Sequence, residues 1–187
     1  FGTIRDNIKI QPDSPRHLYF ADLIMSRIKD SSMSVLEIGG GYGGLISFLR
    51  KINFKETYYN IDLPETLFVC YYYLRRSGLK VNLISELNEF RKGEVNLIPS
   101  MFYRELTNEL QFDLFFNSAS LSEMSQEVCF NYIKMVNQAE PKHVIHCNSN
   151  FLAFPDSKIH IEVLAKDFPW DPKFELKSHY LSPFQGA

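Results

Sequence analysis

Apolar positions along the chain follow two rhythms that alternate. Val35, Leu36 and Ile38 make a short, nearly unbroken run that breaks into Gly39-Gly40-Gly41-Tyr42-Gly43-Gly44, after which Leu45, Ile46, Phe48, Leu49 and Ile52 recur at helical spacing. A second run, Tyr58 to Ile61, ends on Asp62. Strand, glycine turn, helix and strand are predicted here, half of a nucleotide-binding βαβ unit. Upstream, Ser14 and Pro15 read as N-cap and first helical residue, and Leu18, Ala21, Ile24, Met25 and Ile28 continue as an apolar stripe. Residues 1–13 read as irregular.

Downstream, Pro64 and Glu65 restart a helix that runs through Arg76 and stops at Ser77-Gly78. Its run from Leu67 to Leu74 is too apolar for a free surface helix, so most of it is expected to face the sheet or another subunit. Lys80–Ile84, Val95–Ile98, Phe112–Asn117 and His143–Cys147 follow as strands, with a helix led by Ser125 and closed by Pro141 between the last two. Ser157–Lys166 reads equally as helix or strand, and Phe174–Leu181 as a last, antiparallel strand. The alternation predicts an open α/β sheet, mostly parallel, with helices on both faces.

Composition narrows the function classes. With 187 residues, 45% hydrophobic and 14% aromatic, the chain is expected to form one domain. It divides into an N-terminal segment and helix over 1–32, a cofactor-binding core over 33–148, and acceptor-side loops with the last strand over 149–187. Net charge is −2 with scattered basic residues, which argues against nucleic acid. Apolar runs fall far short of the ~20 residues a membrane span needs. Cys70, Cys129 and Cys147 lack metal-ligand spacing and suit a reducing cytoplasm. The chain opens on Phe1 instead of Met, and is therefore expected to belong to a longer protein.

The glycine turn carries the chemistry. Glycines bring a ligand close to the backbone, and the following helix offers unpaired N–H groups. Asp62 suits two ribose hydroxyls. The spacing satisfies both Gly39-x-Gly41-x-x-Gly44, a dinucleotide fingerprint, and Glu37-x-Gly39-x-Gly41-x-Gly43, the S-adenosylmethionine form. A carboxylate at Glu37 helps to hold a cationic ligand and opposes a diphosphate. No Tyr-x-x-x-Lys pair accompanies the turn. An NAD(P)-dependent oxidoreductase stays as the alternative, beside a module that binds S-adenosylmethionine without turnover.

The series Glu37–Gly43, then Ile61-Asp62-Leu63-Pro64-Glu65-Thr66, then Asp113–Ser120 with Glu123-Met124, resembles the sugar O-methyltransferases related to polyketide-glycoside tailoring enzymes. Its order is also similar to that of plant-type small-molecule O-methyltransferases. The resemblance runs from about Val35 to Cys147. It implies a Rossmann-like class I methyltransferase sheet of seven strands with the last antiparallel, the cofactor S-adenosyl-L-methionine, and a small-molecule acceptor, a sugar or glycoside. A homo-oligomer is a further expectation.

Residue by residue, the resemblance places the methionine end over Gly39, Gly40, Gly41, Tyr42 and Gly43, with Glu37 near its ammonium. It puts the ribose on Asp62 and the adenine on Leu63. Pro99-Ser100-Met101-Phe102 stands where plant-type enzymes have Gly-Asp-Met-Phe, so Ser100 and Met101 neighbour the adenine, with serine replacing the family's aspartate. Asn117 and Ser118 border the cofactor at the end of their strand. Counting back from Cys129 puts Ser122 where those enzymes carry a catalytic histidine, which makes Glu123 the leading base and His146 the second. Phe151, Phe154 and Trp170 are candidates to stack on a sugar; Tyr71–Tyr73 read chiefly as core, and His17 as surface or structural.

Overall fold

Strands covered by helices on both faces have no solvent side to make polar, so they read as continuous apolar runs. In the computed structural model, which describes residues 3–5, 8–29, 32–86, 89–106, 110–150 and 160–179, those runs become a parallel sheet. Its strands are β3 (Val35–Ile38), β4 (Tyr58–Asp62), β5 (Val81–Leu83), β6 (Val95–Pro99), β7 (Leu114–Ser118) and β8 (His143–Cys147). They lie in the order β5-β6-β4-β3-β7-β8, every pair parallel. A separate antiparallel ribbon, β1 (Thr3–Arg5) with β2 (Ile8–Ile10), precedes them.

Side-chain alternation sends successive residues to opposite faces. On one face α1 (Ser14–Met25), α2 (Gly44–Lys51) and α3 (Pro64–Arg76) pack Phe20, Ile24, Leu45, Leu49, Leu67 and Leu74 against Val35, Tyr58 and Phe116. On the other, α4 (Tyr103–Leu106) and α6 (Gln126–Ala139) bury Leu106, Ile133 and Val136 with Leu36, Ile61 and Phe115. The short α5 (Ser120–Glu123) follows β7 directly.

The predicted seventh, antiparallel strand is corrected. The described part of Phe174–Leu181, residues 174–179, pairs with no strand, and its apolar Leu176 is 77% exposed. The segment has no face to bury, since Phe168 and Trp170 already cover His146 on β8. Of Ser157–Lys166, residues 160–164 carry no regular structure and Ala165–Asp167 form a single 3-10 turn. The first 13 residues, read as irregular, contain β1 and β2; the β-branched residues of Thr3-Ile4 and Ile8-Lys9-Ile10 carry that propensity. Helix α1 begins at Ser14, one residue earlier than expected, with Asp13 at the cap position and engaged by Arg16 at 3.1 Å. Within α3, Leu67, Cys70 and Leu74 are buried, yet Phe68 (74%), Val69 and Tyr72 (66%) are exposed on the opposite side. The two halves of that apolar stretch therefore part company.

Candidate functional site

The chain passes from β3 outward to β4 and on to β5 at the sheet edge, returns to β6 between them, then crosses back to β7 and β8 on the other side of β3. That reversal opens a crevice at the carboxyl ends of β3 and β7, the place where open α/β sheets bind ligands. The glycine turn lies there, between β3 and α2.

Each N–H of the turn's first half has a defined partner. Gly39 donates to the Ile61 carbonyl at 2.9 Å, Gly40 to Asn60 Oδ1 at 3.1 Å, and Gly41 to Asp62 Oδ2 at 2.9 Å. Asp62 Oδ1 accepts from its neighbour's N–H, Leu63, at 2.7 Å. The carboxylate is therefore fixed in direction while each oxygen keeps a further lone pair for a ligand hydroxyl. Partial burial raises the Asp62 pKa, against the lowering effect of the Leu63 and Gly41 N–H groups. Gly41, at φ +56°, is the open tip: a Cβ there would meet nothing within 4 Å, so the space in front of the turn is free.

Glu37 lies beneath the turn and is 4% exposed. It shares the helix-covered face with Val35, and Tyr58 donates its hydroxyl to Glu37 Oε2 at 2.8 Å. Burial pushes its pKa up to about 8, despite the lowering effect of the Tyr58 hydroxyl and with a further rise from the Asp62 charge. The side chain is thus largely protonated at neutral pH, and the charge-based preference for a cationic ligand loses much of its force.

Beyond β3, Asn117 Nδ2 donates to the Ile38 carbonyl at 2.8 Å and to Ser120 Oγ at 2.7 Å, and Ser120 donates to the same carbonyl at 3.1 Å. Asn148 Nδ2 donates to Asn117 Oδ1 at 2.7 Å, while its Oδ1 accepts the Ser122 N–H at 3.2 Å. These links tie the ends of β3, β7 and β8 to α5. Ala119, between Ser118 and Ser120, is held at φ 69°, a strained value for a residue with a Cβ.

The structure thus brings together Gly39, Gly40, Gly41, Asp62 and Asn117. Tyr42 turns away toward the helices, its ring 5.1 Å from that of Tyr73, and Gly43 faces Cys70 and Leu74. Leu63 (53% exposed) follows β4; Ser100 and Met101 (65%) open the 3-10 turn after β6, next to Pro99, the register partner of Asp62. Glu123 ends α5 on the exposed surface. His146 is largely buried and stacked on Trp170, with ring centroids 5.5 Å apart, and its Nδ1 has no partner among the described residues. Phe151 and Phe154 lie outside the described residues.

Burial, with a smaller contribution from His179, lowers the His146 pKa to about 4 from 6.5. A depressed histidine stabilises the fold above 6.5, and that stability is lost as pH falls toward 4, because the unfolded chain takes up the proton first. Wild type is therefore expected to lose about 3 kcal/mol more than His146→Phe between pH 7 and pH 4, at 1.36 kcal/mol per pKa unit. Urea unfolding across that range measures it, and parallel curves for the two proteins would refute the assignment.

Sequence reasoning missed Tyr58, Asn60 and Ser120. The signal for Asn60 is a polar residue at the centre of the apolar run Tyr58–Ile61, where only a partner such as the Gly40 N–H justifies its burial. At the opposite end of the sheet a depression of about 190 Å³, lined by Ser34, Asp113, Glu140 and Lys142 among others, lies at the amino ends of β3 and β7. It contains none of the predicted site residues.

No protein-family model and no curated protein matches the chain. Solved structures do. The methyltransferase domain of bacterial CtHen1 superposes with TM-score 0.55 at 18% identity, over 72% of this chain and 64% of that one. A protein from Pyrococcus horikoshii gives 0.54 at 16%, over 80% and 64%. A mitomycin 7-O-methyltransferase gives 0.50 at 14%, over 76% and 39%. The chain spans less than two thirds of the length of each. At these identities the likeness speaks for the fold, which is the Rossmann-like fold found in methyltransferases.

Proposed function

We propose that this chain is an S-adenosyl-L-methionine-dependent O-methyltransferase acting on a hydroxyl of a sugar or glycoside. One observation carries the reading: a fixed Asp62 carboxylate faces the open tip of the Gly39–Gly43 turn at the reversal point of a methyltransferase-like sheet. The residues fit the cofactor. Asp62 has acceptor capacity left for the ribose hydroxyls, exposed Leu63 and Met101 offer apolar surface for the adenine, and the unfilled space before Gly41 admits the methionine chain. The resemblance to sugar O-methyltransferases supports the acceptor class.

When bound, the cofactor supplies an electrophilic methyl group on a sulfonium. The chain's own task is to hold the acceptor oxygen in line with that methyl and to receive its proton. Asn117 and its network hold the β7 end and α5 in place beside the turn. Glu123, open to solvent at the end of α5, is the proposed base; His146 is screened by Phe168 and Trp170 and comes second.

Calorimetric titration with S-adenosylhomocysteine, NAD and NADP tests the cofactor. S-adenosylhomocysteine alone is expected to bind, and binding of only a nicotinamide cofactor would overturn the reading. Asp62→Ala is expected to weaken S-adenosylhomocysteine by roughly 1–3 kcal/mol, through unpaired ribose hydroxyls and a freed Gly41 N–H. Unchanged affinity would remove Asp62 from the site.

A further inference from the structure

Helix α3 is apolar on two opposite sides. Leu67, Cys70 and Leu74 are buried against the sheet, and at about 100° per residue they share one face. On the opposite face Glu65, Val69, Tyr72 and Arg76 fall on one line at spacings of four, three and four, with Phe68 beside it. All five are exposed, the apolar ones at 74% for Phe68, 58% for Val69 and 66% for Tyr72. The outer side of a surface helix is ordinarily polar, and a helix apolar all round is covered all round.

The ends of this line carry opposite charges. Among the described residues neither Glu65 nor Arg76 enters an ion pair. They stand eleven positions apart, about 16 Å along the axis, too far to pair with each other. An acid at the start and a base at the end suit the helix's own dipole, but that leaves Phe68, Val69 and Tyr72 between them without a reason to be apolar. Turned end for end about a twofold axis near Cys70 and Tyr71, the line matches itself: Glu65 meets the partner's Arg76, and Val69 meets the partner's Tyr72. Such self-complementarity is what an isologous dimer requires of a surface.

We propose that the outer face of α3 is a homodimer interface, in which the α3 helices of two copies of this chain lie antiparallel with Phe68, Val69 and Tyr72 at the centre and a Glu65–Arg76 pair at each end. The three apolar side chains offer roughly 400 Å² per chain, about 800 Å² across the pair, and the charged ends bring the total near the ~1,000 Å² that a specific interface needs. An interface of this size holds in the micromolar range, with the two aromatic residues as its anchors. The charge pairs lie at the rim, where they set orientation more than affinity.

Sedimentation of the full chain from about 1 to 100 µM, at about 0.15 M salt, reads the association. Wild type is expected to pass from monomer to dimer across that range. Tyr72→Asp is expected to weaken the dimer at least tenfold with an unchanged far-ultraviolet circular dichroism spectrum, since the position is exposed. Glu65→Arg and Arg76→Glu each set like charges against each other at both ends, and each alone is expected to weaken the dimer several-fold. Mixed in equal amounts they are expected to associate as wild type does, because the mixed dimer has opposite charges at both ends only if the helices are antiparallel in this register. That comparison stands even if the aspartate variant does not fold. A wild type that stays monomeric at about 100 µM would overturn the proposal and leave the face to a different protein. A dimer indifferent to Tyr72→Asp, or a mixture no more dimeric than its two components, would overturn it as well.

Discussion

Glu37→Gln is expected to make the fold more stable than wild type at alkaline pH, by about 5 kcal/mol at pH 9. The side chain is buried under Gly40 with Tyr58 as its hydrogen-bond donor, and its pKa rises to about 8 from 4.5. An acid with a raised folded-state pKa contributes stability below the unfolded value and loses it as pH climbs through the folded one, because the unfolded chain ionises first. The loss therefore runs from about 4.5 to beyond 8. The shift of 3.5 units at 1.36 kcal/mol each sets the size. Glutamine keeps the carbonyl that accepts the Tyr58 hydroxyl and removes the ionisation. Urea denaturation of both proteins from pH 5 to pH 9 reads the difference. Curves that stay parallel would mean that Glu37 is ionised and solvated in the folded protein, and would return it to the role of a charge facing the ligand.

That reversal shows where sequence reading stops. Glycine spacing and the acid closing the next apolar run located the turn and Asp62, since both are local: a glycine conformation and a strand end. The direction in which Glu37 points depends on strand phase and on Tyr58 from the neighbouring strand, a partner 21 residues away. The contact of His17 with Gly44 likewise forms only once α1 packs on α2. Phe174–Leu181 has the composition of a strand, but pairing requires a free edge and a buried face, and neither is a property of the segment itself. The Asn117–Asn148 link likewise joins two strand ends 31 residues apart. Elements followed from periodicity; the polar contacts that shape the crevice came from the packing of distant segments.

Gly39→Ala is expected to destabilise the fold by about 4 kcal/mol, the sum of a side chain forced to positive φ, an overpacked contact and strained hydrogen bonds. Gly39 sits at φ +75°, and a Cβ there would lie 2.2 Å from Ser120 Oγ and 2.4 Å from Ser120 Cβ. Ser120 cannot easily retreat. Its hydroxyl is gripped by Asn117 Nδ2 and the Ile38 carbonyl, and its predecessor Ala119 is already at φ 69°. The cost should therefore depend on the partner side chain. Ser120→Ala leaves the clashing Cβ in place and should rescue little, whereas Ser120→Gly removes both clashing atoms and should recover about 2 kcal/mol of the loss in a double-mutant cycle. Urea unfolding of the six proteins, wild type included, separates the terms. A loss that is the same with Ser120 and with Ser120→Gly would show that backbone conformation alone demands glycine at position 39, and that α5 does not press on the turn. Coupling between the two positions would show that the glycine turn and α5 share one contact, so that a shift in either moves the other.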